Sequence, residues 1–88
     1  MTRDGRPRQS DLAVLDAVHA ALDAGDRDCL RGGVTPEQAA DHCDLSPERL
    51  QDRFRELRDE GELVTVWGAS PGTGRPRESY LPTGHPDV

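Results

Sequence analysis

The chain contains no lysine; all 11 of its basic residues are arginine. Against them stand 17 acids, 11 of them aspartate, for a formal net charge of -6. As a sum, that acidity argues against a nucleic-acid partner, because such binding is driven largely by phosphate neutralisation. Carboxylates without lysine suit a surface kept hydrated at high salt, although a GC-rich genome also favours arginine over lysine. The weight of aspartate favours a halophilic origin.

Aromatics are as scarce: one Phe, one Trp and one Tyr among 88 residues, of which 33% are hydrophobic. A chain of this length makes one domain with a modest core, and no deep enzymatic pocket is expected of it. There are only two cysteines, Cys29 and Cys43, too few for a disulfide framework. In a reducing cytosol they are expected to be small buried hydrophobes. With His19 and His42 they match no zinc spacing, and neighbours such as His42 and Cys43 point different ways on a helix. Neither metal nor cofactor is expected. No apolar run approaches the roughly 18 residues that span a membrane. Met1 to Ser10 has no apolar core and so does not read as a signal peptide. A cytoplasmic protein without a membrane partner is expected. No nucleophile–base pair or paired catalytic carboxylates can be assembled, and Gly72 and Gly74 fall between two strands rather than between strand and helix. The chain does not read as an enzyme.

What is present is helix punctuation. Residues 1–9 are polar and form an N-terminal arm. Ser10 or Asp11 can cap a helix in which Leu12, Leu15, Val18, His19 and Leu22 recur on one face, and Gly25 can end it. Residues 26–33 read as a linker with a Gly-Gly pair. Thr35-Pro36-Glu37-Gln38 is a capping box with proline at the first helical position, opening a short helix that ends near Cys43. Ser46-Pro47 starts another, with Leu50, Phe54 and Leu57 as its buried stripe and Gly61 as its stop. This stripe is expected to pack on Leu12, Leu15, Leu45 and Val64. Leu63–Trp67 and Glu78–Leu81 read as strands of a hairpin, with a Gly/Pro loop over 68–77 and a tail over 82–88.

Helix, short helix, turn, helix, hairpin is the order of a winged helix. Ala39-Ala40, Leu45-Ser46, the run Leu57 to Val64, and Gly74-Arg75-Pro76-Arg77 followed by Tyr80-Leu81 resemble the winged helix-turn-helix regulators of the MarR, ArsR and PadR kinds. The resemblance covers about half the chain closely. It implies a mainly α domain over 10–81, with three helices and a two- or three-stranded wing. It also implies a sequence-specific transcription regulator that puts helix 47–60 into the major groove of double-stranded DNA. Ser46, Glu48, Arg49, Gln51, Asp52, Arg53 and Arg55 would then face DNA. Arg75 and Arg77 would reach phosphate or a minor groove from the wing.

Charge weighs on both sides. From Glu48 to Glu60 there are four arginines and five acids, so that helix is not a basic patch; the stretch 68–77 holds two arginines and no acid. Other acids crowd at Asp11 to Asp28 and Asp41 to Asp44, where they can face away from DNA. At molar salt the Debye length falls to roughly 3 Å, which screens distant repulsion and attraction alike. Arg3, Arg6 and Arg8 can trail into a groove or belong to a disordered tail. One module this small covers little DNA, so binding as a homodimer is expected. The helix from Asp11 to Ala24 offers the seam, unless the core uses it fully. The alternative is a winged helix that docks a protein in a larger complex, which the acidic recognition helix favours.

Overall fold

The computed structural model describes residues 9–88; the arm arginines Arg3, Arg6 and Arg8 lie outside them. Three helices precede an antiparallel hairpin: α1 (Gln9–Ala24), α2 (Pro36–Ala40), α3 (Pro47–Asp59), β1 (Leu63–Ala69) and β2 (Pro76–Pro82). This layout is consistent with a winged helix.

α1 already includes Gln9, the first described residue, so Ser10 and Asp11 lie within the helix rather than capping it. Its end follows the expected chemistry. Gly25 adopts φ 80, its N–H bonds Leu22 O at 3.1 Å, and Asp26 N–H reaches Ala21 O at 2.8 Å. This paired closure by a left-handed glycine satisfies two carbonyls the helix leaves open. The buried face is the expected one only in part, at Val18 and at the core's rim. Val14, Ala17, Val18 and Ala21 are buried, Leu15 and Leu22 rim the core, and His19 and Leu12 are exposed, Leu12 at 47%. Two stripes with helical spacing coexist in α1. The small-residue stripe wins because it lets the helix axes approach closely.

α2 carries the full capping box. Gln38 N–H donates to Thr35 Oγ1 at 3.2 Å, and Thr35 N–H donates to Gln38 Oε1 at 2.9 Å. It stops at Ala40, short of Cys43. α3 starts with Ser46 Oγ accepting from Arg49 N–H and with Pro47 in its first turn. Leu50, Phe54 and Leu57 have no exposed surface. Each contributes about 1.5–3 kcal/mol by leaving water. Gly61, at φ 82, closes α3 as Gly25 closes α1, with Glu62 N–H on Leu57 O at 2.9 Å. Leu45 is packed against the core at the turn, as expected. From β1 the core takes Leu63, 1% exposed, whereas Val64 is only half-buried.

The hairpin runs from Leu63↔Pro82 to Ala69↔Pro76. It is longer than expected: Gly68, Ala69, Pro76 and Arg77 are strand residues, leaving residues 70–75 as the loop. Glycine and proline suggested a loop here, but Gly68 serves close packing instead. A Cβ on Gly68 would lie 2.5 Å from the Cα of Gly32.

The segment before α2 is part of the sheet architecture rather than a bare linker. Cys29 and Ala69 exchange backbone bonds of 2.8 and 3.1 Å, and Val34 and Tyr80 exchange bonds of 2.7 and 2.9 Å. β1 and β2 spend their inner edges on each other, so residues 29–34 cross from the outer edge of β1 to the outer edge of β2. The crossing presses Gly32 on Gly68 and Gly33 on the Tyr80 carbonyl. Cys29, on the outer edge, is exposed, and Cys43 is half-buried; neither is the fully buried hydrophobe expected. Between the bridges, Cys29 to Gly32 makes a tight turn, with Gly32 N–H on Cys29 O at 3.1 Å and positive φ at Leu30 (58) and Arg31 (62). The tail packs back: Thr83 N–H bonds Glu62 O at 3.1 Å, and Asp87 pairs with Arg27 at 2.8 Å. Among the described residues no helix is long and apolar enough to cross a membrane.

Candidate nucleic-acid interface

Burying Leu50, Phe54 and Leu57 turns the opposite side of α3 to solvent. Ser46, Glu48, Arg49, Gln51, Asp52 and Arg55 are all exposed. Arg53 is half-buried and paired with Glu56 at 3.3 Å, which draws it along the helix and away from the outermost face. The helix separates two depressions. One, of about 560 Å³, lies between α3 and β2; Gln51, Arg55 and Arg58 line one wall, and Arg77, Glu78 and Tyr80 line the other. The second, of about 300 Å³, is bordered by Leu45, Arg49 and Asp52. Tyr80 is held at the base of the first by an edge-on contact with Phe54, with ring centroids 5.0 Å apart.

Arg75 is exposed in the hairpin loop, where the sequence places it. Arg77 is not at the tip. It lies within β2, and its guanidinium grips Asp28 with two bonds, Nε to Oδ2 at 2.8 Å and Nη2 to Oδ1 at 2.7 Å. The Asp28 side chain has no exposed surface. Asp28 Oδ1 also accepts from Gln38 Nε2 at 3.1 Å. The hydrogen bonds to Asp28 raise the pKa of Arg77 above its ordinary value. A matched, bidentate pair of this kind offers little to a phosphate. Rather than standing free on the wing, Arg77 ties β2 to the start of α2 through the chain Arg77–Asp28–Gln38–Thr35.

That chain was missed by sequence reasoning, because Asp28 and Arg77 are 49 positions apart and the run Gly74 to Arg77 does not point to an acidic partner. It also revises the acid cluster: Asp11 and Asp28 do not simply face away from the site but are buried within the fold, at 1% and 2% exposure. Among the described residues, Arg49, Arg55 and Arg75 have no acidic side-chain partner, whereas Arg58 meets Asp59 at 3.4 Å. The cleft is electrically mixed, since Glu37, Glu48 and Glu78 share its walls with the arginines. His42 pairs with Asp26 at 2.8 Å, and no group of three or more His, Cys, Asp or Glu is placed to hold a metal among the described residues.

Trp67 is a surface feature that sequence reasoning did not single out. It is 68% exposed, directly across the hairpin from Glu78. Strand alternation was the available signal, since it sets Trp67 with Thr65 on the opposite face from Val64 and Val66. No protein family, curated protein or solved structure matches this chain.

Proposed function

We propose that the chain is a winged helix-turn-helix DNA-binding transcription regulator. The observation that carries this reading is α3: capped at Ser46-Pro47, it keeps Arg49, Gln51 and Arg55 exposed while its other side is locked in the core. Arginine and glutamine reach base edges through paired hydrogen bonds, each worth roughly 1–3 kcal/mol of discrimination. The N-terminal half of α3 enters the major groove, and Arg75 meets the backbone from the wing. Arg53, drawn to Glu56, and Arg77, held by Asp28, do not carry the contact. Two copies act on one operator, because a single module covers little DNA. The outward side of α1 is the seam, where Ala13 and Ala20 border a depression closed by Cys43 and Leu45.

A second reading, a winged helix that docks a protein partner, is favoured by the charge of α3 with its C-cap, four arginines against five acids over Glu48 to Glu60. Titration of labelled duplexes at several salt concentrations separates the two. Under the DNA reading, Arg75→Ala weakens binding to all sequences alike and lowers the salt slope by about one. Arg49→Ala costs roughly 1–3 kcal/mol on a preferred site and relaxes choice there. Absence of binding at every salt concentration, or indifference to both substitutions, moves the assignment to protein docking.

A further inference from the structure

Of the three aromatic side chains, two are spent inside: Phe54 has no exposed surface, and half-buried Tyr80 meets it edge-on. The third, Trp67, is 68% exposed. Its position follows from the register. Cross-strand partners share a face, so Trp67 shares one with Glu78, and one step inward Thr65 shares it with Tyr80. At that inner step the face is turned to α3, because Tyr80 touches Phe54. One step outward the same face carries Trp67 beside Glu78, which lines the cleft between α3 and β2. The indole therefore flanks the cleft, just beyond the point where the hairpin leaves the helix.

We infer that Trp67 is a contact residue of the DNA interface, its indole lying against the deoxyribose-phosphate backbone of the duplex that occupies this cleft. The inference rests on the DNA reading and adds to it a contact of different physical kind. Phosphate contacts by Arg75 weaken as salt rises, because fewer counterions are released to advantage. Apolar contact by an indole releases no counterions and is not screened; excluded salts strengthen it. A chain with net charge -6 has little long-range attraction for DNA. An uncharged anchor beside the cleft supplies affinity that persists at high ionic strength. Because it touches sugar and backbone, it contributes equally to every sequence.

Trp67 is the chain's only tryptophan, so its fluorescence reports on this position alone. The experiment follows intrinsic emission and acrylamide quenching during titration with a labelled duplex of roughly 20 base pairs, about two helical turns. Anisotropy of the label measures binding independently. The expected result is a blue shift and protection from acrylamide that track the anisotropy curve. Trp67→Ala weakens binding about tenfold at low and high salt alike, with an unchanged salt slope, and Trp67→Phe retains most of the affinity. Both variants keep the parent's melting temperature, since the side chain is largely exposed. Anisotropy that reports binding while emission and quenching stay constant overturns the inference and leaves the DNA reading standing. Emission that shifts with protein concentration alone assigns Trp67 to contact with a second copy and also overturns it. No anisotropy change at any salt concentration removes the DNA reading and the inference together.

Discussion

Replacing Arg77 with alanine tests whether this arginine is a strut or a DNA contact. Asp28 keeps its carboxylate where no solvent reaches it, with bonds of 2.7 and 2.8 Å from Arg77 and one of 3.1 Å from Gln38. Arg77→Ala strands that charge with a single neutral donor. Breaking a buried pair from one side costs about 3–5 kcal/mol. Arg77 itself is 36% exposed, so water entering its place softens the loss, and about 3 kcal/mol is expected. A domain of this size has roughly 4–13 kcal/mol in all, and each kcal/mol moves its melting temperature by about 4–8 °C. The melt should therefore fall by roughly 12–24 °C. Asp28→Asn should cost less, about 1–2 kcal/mol, because the freed guanidinium can turn to water. The double variant Asp28→Asn/Arg77→Ala should be more stable than Arg77→Ala alone, since no carboxylate is left stranded. Thermal melts of the four proteins decide the matter, with duplex titrations showing an unchanged salt slope for Arg77→Ala. If Arg77→Ala melted within a few degrees of the parent, or the double variant gained nothing over it, Asp28 would not be the anchor described.

Gly33→Ala should cost at least about 2 kcal/mol, because the new Cβ would sit 2.2 Å from the Tyr80 carbonyl oxygen, a backbone atom that cannot swing aside. Amide exchange should show Val34 and Tyr80 losing protection together; retained protection would contradict the close crossing. The turn at Leu30 and Arg31 places two side-chain-bearing residues at φ 58 and 62. The pair Leu30→Asn/Arg31→Gly should therefore raise stability by about 1–2 kcal/mol, read as a higher melting temperature; a lower one would refute the turn.

Much of the local structure was legible because its causes are local. Thr35 and Gln38 bond to each other within one turn that Pro36 opens, so their spacing alone announces the start of α2. Ser46-Pro47 and Gly61 bracket α3 in the same way. Within α3, Leu50, Phe54 and Leu57 were read correctly since no other apolar stripe competes on that helix. α1 lacked that uniqueness. The expected stripe of Leu12, Leu15, Val18 and Leu22 and the buried one of Val14, Ala17, Val18 and Ala21 overlap and share a period, and only the neighbouring elements select between them. The exposed candidates Ser46, Glu48, Arg49, Gln51, Asp52 and Arg55 followed from the helix register, while Arg53 and Arg77 were diverted by acids that periodicity does not count.

The sequence by itself determined where α1 ends, where α2 starts, both ends of α3, that a hairpin follows them, and which side of α3 is buried. Those are properties of side chains acting on backbone within a few residues. Only the tertiary structure decided that residues 29–34 cross the hairpin, that Gly32, Gly33 and Gly68 are there for close approach, and that Arg77 belongs to Asp28. Each of these depends on groups more than 30 positions apart being brought together, and a meeting of that kind leaves no period in the chain.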